Sequence, residues 1–154
     1  MAVSSNLMSV LLTCLPPSCI DLIGNGVTKD TVFMPYRINN DNRWTVVDGS
    51  DGRIVVDLNM CGNIAKCIIN VINQVNNHSD KTSLLVRLVE DMSNGGGVEK
   101  LVSLFSNASQ GPVRKNSGIA LAKLALAHES MYNRLKELNG LQILQESEMQ
   151  NLMA

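Results

Sequence analysis

Gly95-Gly96-Gly97-Val98-Glu99-Lys100-Leu101-Val102-Ser103-Leu104-Phe105, resumed after Gly111-Pro112 by Val113-Arg114-Lys115-Asn116-Ser117-Gly118-Ile119-Ala120-Leu121-Ala122-Lys123-Leu124-Ala125, decides the fold. The glycine triplet breaks one helix, and Val98, Leu101, Val102, Leu104 and Phe105 make a short, nearly all-apolar next one. Gly111-Pro112 restarts the chain, with proline where the first helical turn needs no N–H donor, and that helix runs to about His128. Upstream, Met60, Ile64, Cys67, Ile68, Val71, Ile72 and Val75 recur at steps of three and four, giving one long helix that Asn76 to Asp80 ends. Ser79 or Asp80 is placed to cap the following helix, whose apolar positions are Leu84, Leu85, Leu88, Val89 and Met92. Downstream, Leu135 and Leu138 mark a helix halted by Asn139-Gly140, and Leu141, Ile143 and Leu144 open the last. From about residue 55 the period is helical throughout, so the expected class is all-α, six consecutive helices with short Gly- or Asn-bearing joints.

The composition agrees. The chain has 154 residues, 45% apolar, with 13 basic and 14 acidic side chains for a formal net charge of -1. Mean hydropathy is +0.06 and no apolar run reaches a bilayer's span, so neither a membrane nor a nucleic-acid backbone is the expected partner. Aromatics are 3%, and Leu, Ile, Val, Met and Ala carry the apolar content, as suits packed helices. Cys14, Cys19, Cys61 and Cys67 match neither zinc-site nor redox spacing and read as buried or half-buried thiols. No Lys or Arg stands before the apolar Val10 to Leu15 stretch and no cleavage-type site follows it, so the expected compartment is cytoplasmic and reducing.

Residues 1–54 differ in texture from residues 55–154 and form a separate unit in this reading. Ser4 to Leu15 is a short apolar helix stopped by Pro16-Pro17. Ile20 to Ile23 is a second apolar piece, and Val27 to Arg53 is dominated by turn formers. Trp44 to Val47 and Arg53 to Val56 flank Asp48-Gly49-Ser50-Asp51-Gly52 with the composition of a small β-hairpin. Phe33, Tyr36 and Trp44 are the expected anchors of this irregular segment, onto the helical body or onto a partner.

Gly97-Val98-Glu99-Lys100-Leu101 superposes on Gly140-Leu141-Gln142-Ile143-Leu144 at an offset of 43 residues, within the range of helical solenoid units. A glycine pair opening a short apolar helix, a long helix built on an Ala-x-x-x-Leu-x-x-Leu stripe, and Arg134 to Gly140 as a brief cross-helix together resemble the armadillo repeat family. Asn63 to Ile72 looks like the same long third helix one repeat earlier, at an offset of 53, which implies about ten extra residues inserted at the Asn73 to Lys81 joint. The resemblance covers residues 56 to 145, about two repeats, and implies a short armadillo-like α-α superhelix. Such arrays need about three units for stability, so a partner, a larger assembly or self-association is expected to cover the exposed ends.

The resemblance implies recognition rather than catalysis. Its third helices line a concave surface, which places Asn63, Lys66, Asn70 and Asn73 on one helix and Asn116, Ile119 and Lys123 on the next. Asparagine amides both donate and accept, so a ladder of them holds a peptide backbone; the plainer reading is the solvated side of amphipathic helices. In importin-type members a Trp and an Asn four residues later line each third helix. Lys66 stands in the Trp place with Asn70 kept, and Ile119 and Lys123 replace both, which points away from basic peptides toward an acidic or neutral ligand.

No catalytic, metal or cofactor site is expected. His78 and His128 have no Cys or acid at triad or ligand spacing, and Gly24-Asn25-Gly26 and Gly95-Gly96-Gly97 lack a phosphate-loop context. Asp48, Asp51 and Asp57 do not fit a calcium-loop register. The expected function is a non-catalytic protein-interaction scaffold or structural subunit, cytoplasmic or cytoskeletal. A regulatory, cochaperone-like adaptor with one reversible partner is the second reading, and an enzyme or small-molecule binder using residues 24–54 the third.

Overall fold

The structure, a computed structural model, describes residues 7–15, 37–38, 43–47, 53–107 and 111–153, with side chains described over 7–15, 60–106 and 111–147. Ile20 to Ile23, Phe33, Tyr36 and the Asp48 to Gly52 turn lie outside the described residues. Strands β1 (Arg37–Ile38), β2 (Arg43–Val47) and β3 (Arg53–Asp57) pair antiparallel in that order, with Ile38 and Val56 on either side of Trp44. Among the described residues seven helices follow the chain order: α1 (Leu7–Thr13), then after the strands α2 (Leu58–Asn76), α3 (Lys81–Asn94), α4 (Gly97–Asn107), α5 (Gly111–Ala127), α6 (Glu129–Glu137) and α7 (Leu141–Met153). The body of the molecule is helices packed on helices.

Helix α5 is the hub. It packs against α2, α4, α6 and α7, and against α2 most extensively. A helix surrounded this way needs apolar or small residues on every side rather than one stripe, and α5 buries Val113, Ser117, Gly118, Ile119, Ala120, Leu121, Ala122, Leu124 and Ala125. The small members set how closely neighbours approach. A Cβ placed on Gly118 would stand 2.5 Å from Ser147 Oγ and 3.0 Å from the Phe105 ring, so α4 and α7 both close on α5 at this residue. Ser117 satisfies its buried hydroxyl locally, donating to the Val113 carbonyl at 2.5 Å. Helix α2 contributes Ile64, Ile68, Val71, Ile72 and Val75 to the same core.

The Gly95-Gly96-Gly97 break receives α1. Added Cβ atoms on Gly95 and Gly97 would stand 2.6 and 3.2 Å from Leu12 methyls, and Leu12 and Met8 are each 1% exposed. Lys100 Nζ donates to the Leu12 carbonyl at 2.8 Å, so this acceptor at the end of α1, which also takes the Leu15 N–H at 3.3 Å, is tied to α4 as well. Glu99 of α4 binds Arg134 of α6, which also donates to Glu137 at 3.0 Å; these hydrogen bonds to carboxylates hold the Arg134 guanidinium above its ordinary range.

Several sequence expectations change. Met60 and Cys67 are exposed rather than part of the buried α2 stripe, and Cys14 is exposed while Cys61 is buried. The ten residues separating the two offsets are not one inserted loop. Helix α2 has 19 residues against 17 in α5, the joint after it spans 77–80 against His128 alone, and α3 has 14 residues against 9 in α6. Asp80 makes no side-chain cap; His78 Nδ1 accepts the Asp80 N–H at 2.9 Å, and His128, the N-cap of α6, accepts the Ser130 N–H at 3.1 Å. Glu146 of α7 binds Arg114 of α5 at 2.7 Å.

Two stability outcomes follow from these contacts. Gly118→Ala should destabilise by about 1–3 kcal/mol through overpacking, read from denaturant midpoints. Ser147 Oγ is buried without a hydrogen-bond partner, so Ser147→Ala should cost nothing and should reduce the penalty of Gly118→Ala in the double variant; strict additivity would contradict the close approach. Leu12→Ala should cost about 2–5 kcal/mol; a cost near zero would mean that α1 does not seat on the glycine break.

Candidate protein-binding face

The first turns of α2 and α5 meet. Gly62 lies 3.5 Å, measured from an added Cβ, from Pro112 Cβ, and Asn116 Nδ2 donates to the Gly62 carbonyl at 3.2 Å. Gly62, which has no side chain, leaves room for the Pro112 ring on the opening turn of α5, so the helices start side by side. Outside the buried α2 stripe lies a run of exposed side chains at three- and four-residue steps: Met60, Asn63, Lys66, Cys67, Asn70 and Gln74. These positions fall on one side of a 3.6-residue helix. Exposed Pro112 and Lys115 lie on α5, with Leu126, 80% exposed, near its far end.

Of the seven expected lining residues, the structure leaves three exposed and three half-buried. Asn63, Lys66 and Asn70 are exposed and Lys123 is half-buried. Ile119 is a correction: at 8% exposure it belongs to the core, because α5 is enclosed on more sides than an ordinary amphipathic helix and most of its apolar residues turn inward. Asn116 ties α5 to the α2 backbone, and Asn73 is half-buried. The sequence reading passed over Met60 and Cys67, which it assigned to the apolar stripe, and Lys115 and Leu126. A count of charges along the two helices would have drawn attention to Lys115, since neither helix contains an acidic residue. Trp44 lies in β2, and its side chain, with those of Phe33 and Tyr36, is outside the described ones.

An open cleft of about 290 Å³ lies where α4, α5 and α7 converge on the Leu138-Asn139 turn. Its polar groups already satisfy one another. The Arg114 guanidinium lies 4.0 Å from the centre of the Phe105 ring, donates to the Phe105 carbonyl at 2.9 Å and to Glu146 Oε2 at 2.7 Å, and Gln142 Nε2 donates to Glu146 Oε1 at 3.3 Å. A guanidinium so stacked and paired works as a clamp between α4, α5 and α7. Among the described residues no three His, Cys, Asp or Glu side chains gather as metal ligands, and no helix is long and apolar enough to cross a membrane.

Compared with known proteins, the chain matches no family model, no curated protein and no solved structure at the significance required.

The Asn116 contact separates a structural from a recognition role. Asn116→Ala should lower stability by about 1 kcal/mol, the worth of a hydrogen bond left unmade in a part-buried site, measured by thermal or denaturant unfolding. An unchanged stability would return Asn116 to the accessible face.

Proposed function

We propose that this chain is a non-catalytic protein-interaction unit, a scaffold or a structural subunit with armadillo-like helix stacking, and that it holds a polypeptide on the face formed by α2 and the accessible side of α5. The observation that carries this reading is the make-up of the solvent-facing side of α2. Met60, Asn63, Cys67, Asn70 and Gln74 surround a single charge, Lys66. Solvated helix faces are ordinarily rich in paired charges, whereas the centres of protein interfaces are depleted in them.

Geometry suits an extended ligand. Side chains four residues apart on a helix are spaced about 6 Å along its axis, close to the roughly 6.6 Å between same-side residues of an extended chain. Asn63 and Asn70 carry amides able to bond both N–H and C=O groups of such a chain. The cleft at Arg114 suits a small molecule poorly, since its charged groups are engaged by protein partners.

Exposed Cys67 makes the face directly testable. In a Cys14→Ser, Cys19→Ser background, a photoactivatable maleimide on Cys67 should yield discrete crosslinked products. The same label on Val86→Cys, an exposed α3 position placed in a Cys67→Ser chain, should not. A product of twice the chain's mass identifies self-association through this face. Identical products from both positions would end the proposal.

A further inference from the structure

Charge is segregated in this molecule in a way its balanced total conceals. Helices α2 and α5 contain Lys66, Arg114, Lys115 and Lys123 and no acidic residue, although the chain holds 14 acids against 13 bases. At the chain's average density the two helices would carry about three acids. Arg114 is matched by Glu146 of α7, whereas Lys66, Lys115 and Lys123 enter no ion pair among the described residues. The nearest acids in sequence, Asp57, Asp80 and Glu129, stand beyond the ends of the two helices. Cations without an ion-pair partner among the described residues give that face a positive potential, largest at low ionic strength.

We infer that the occupant of the α2/α5 face is an acidic polypeptide segment, held in extended form with its carboxylates toward Lys66, Lys115 and Lys123 and its backbone on the Asn63 and Asn70 amides. This inference rests on the preceding reading of the face as a polypeptide site and adds the chemistry of the ligand. Charge complementarity selects an acidic chain over a neutral or basic one. A nucleic acid is disfavoured by composition: three lysines offer few phosphate contacts, and the exposed residues of both helices include no aromatic on which a base could stack. A second copy of this chain is disfavoured because two such faces would repel each other.

The probe is a fluorescein-labelled peptide of about twelve residues alternating Glu and Ser, compared by anisotropy on the full chain with its Gln/Ser and Lys/Ser counterparts and with a thymidine oligonucleotide of similar length. The Glu/Ser peptide should bind about tenfold tighter than the Gln/Ser peptide, and that advantage should shrink as salt rises from about 50 to 300 mM. Paired Lys66→Glu and Lys123→Glu changes should weaken it about tenfold, and the exposed Lys66→Glu change alone about threefold. The paired control Lys81→Glu and Lys136→Glu, exposed lysines of α3 and α6, should change it less than about twofold. Equal losses from both pairs, or tighter binding of the oligonucleotide, would overturn the inference. Tightest binding of the Gln/Ser or Lys/Ser peptide, with Cys67 protected from maleimide, would overturn the acidic assignment and leave the polypeptide site standing. Binding of none of these probes, together with no specific Cys67 crosslink, would remove both.

Discussion

Everything in this fold depends on α5 being narrow enough to be enclosed. Four helices touch it, which is possible because Ser117, Gly118, Ala120, Ala122 and Ala125 keep much of its surface close to the backbone. At Gly118 the neighbours come so near that Phe105 and Ser147 occupy the space a side chain would need. Dense packing of this kind gains dispersion contacts for every atom on the facing helices, and the leucines of α5 supply the bulk between the small residues. The arrangement leaves one imperfection, the Ser147 hydroxyl, which close packing has deprived of a partner. Packing won over hydrogen bonding there, as the gain is spread across two helices and the loss falls on one hydroxyl.

Polar contacts act at the margins of that core. Arg114 joins the end of α4 to α7 through the Phe105 carbonyl and Glu146, Arg134 joins α6 to α4 through Glu99, and Lys100 closes the end of α1. Each connects elements that are distant in sequence, and each lies at a partly exposed position where its strength is modest. Their value is in fixing how helices already held by apolar burial are rotated against one another. Both histidines have a similar local task, each ring accepting a backbone N–H two residues on, at or just before the start of α3 and α6.

The same packing explains the α2/α5 face. A helix that spends its Ile and Val residues on α5 leaves its other side to whatever the solvent or a partner requires. On α2 that side holds amides, a thioether and a thiol around one lysine. Acidic residues are kept to other elements, among them the strand preceding α2, the joints and helices α3, α4, α6 and α7, and three of them pair with Arg114 and Arg134. The result is a set of lysines with no ion-pair partner among the described residues, on a chain of nearly zero net charge, a property of placement that composition hides.

Helix order, the joints at Gly95 to Gly97 and Asn139-Gly140, and the apolar stripe of α2 were legible because they are local: periodicity, backbone-permissive residues and proline placement each act within a few positions. Asn63, Lys66 and Asn70 were legible as surface residues for the same reason. The burial of Ile119, the structural use of Asn116 and the exposure of Met60 and Cys67 depend on which neighbours α5 and α2 acquire, and no periodic pattern within one helix reports that. The sequence by itself determined that there would be helices and where they stop. Only the tertiary structure decided that α5, with small and apolar residues on several of its sides, lies at the centre, because enclosure is a relation among helices and a chain read one segment at a time carries no record of it.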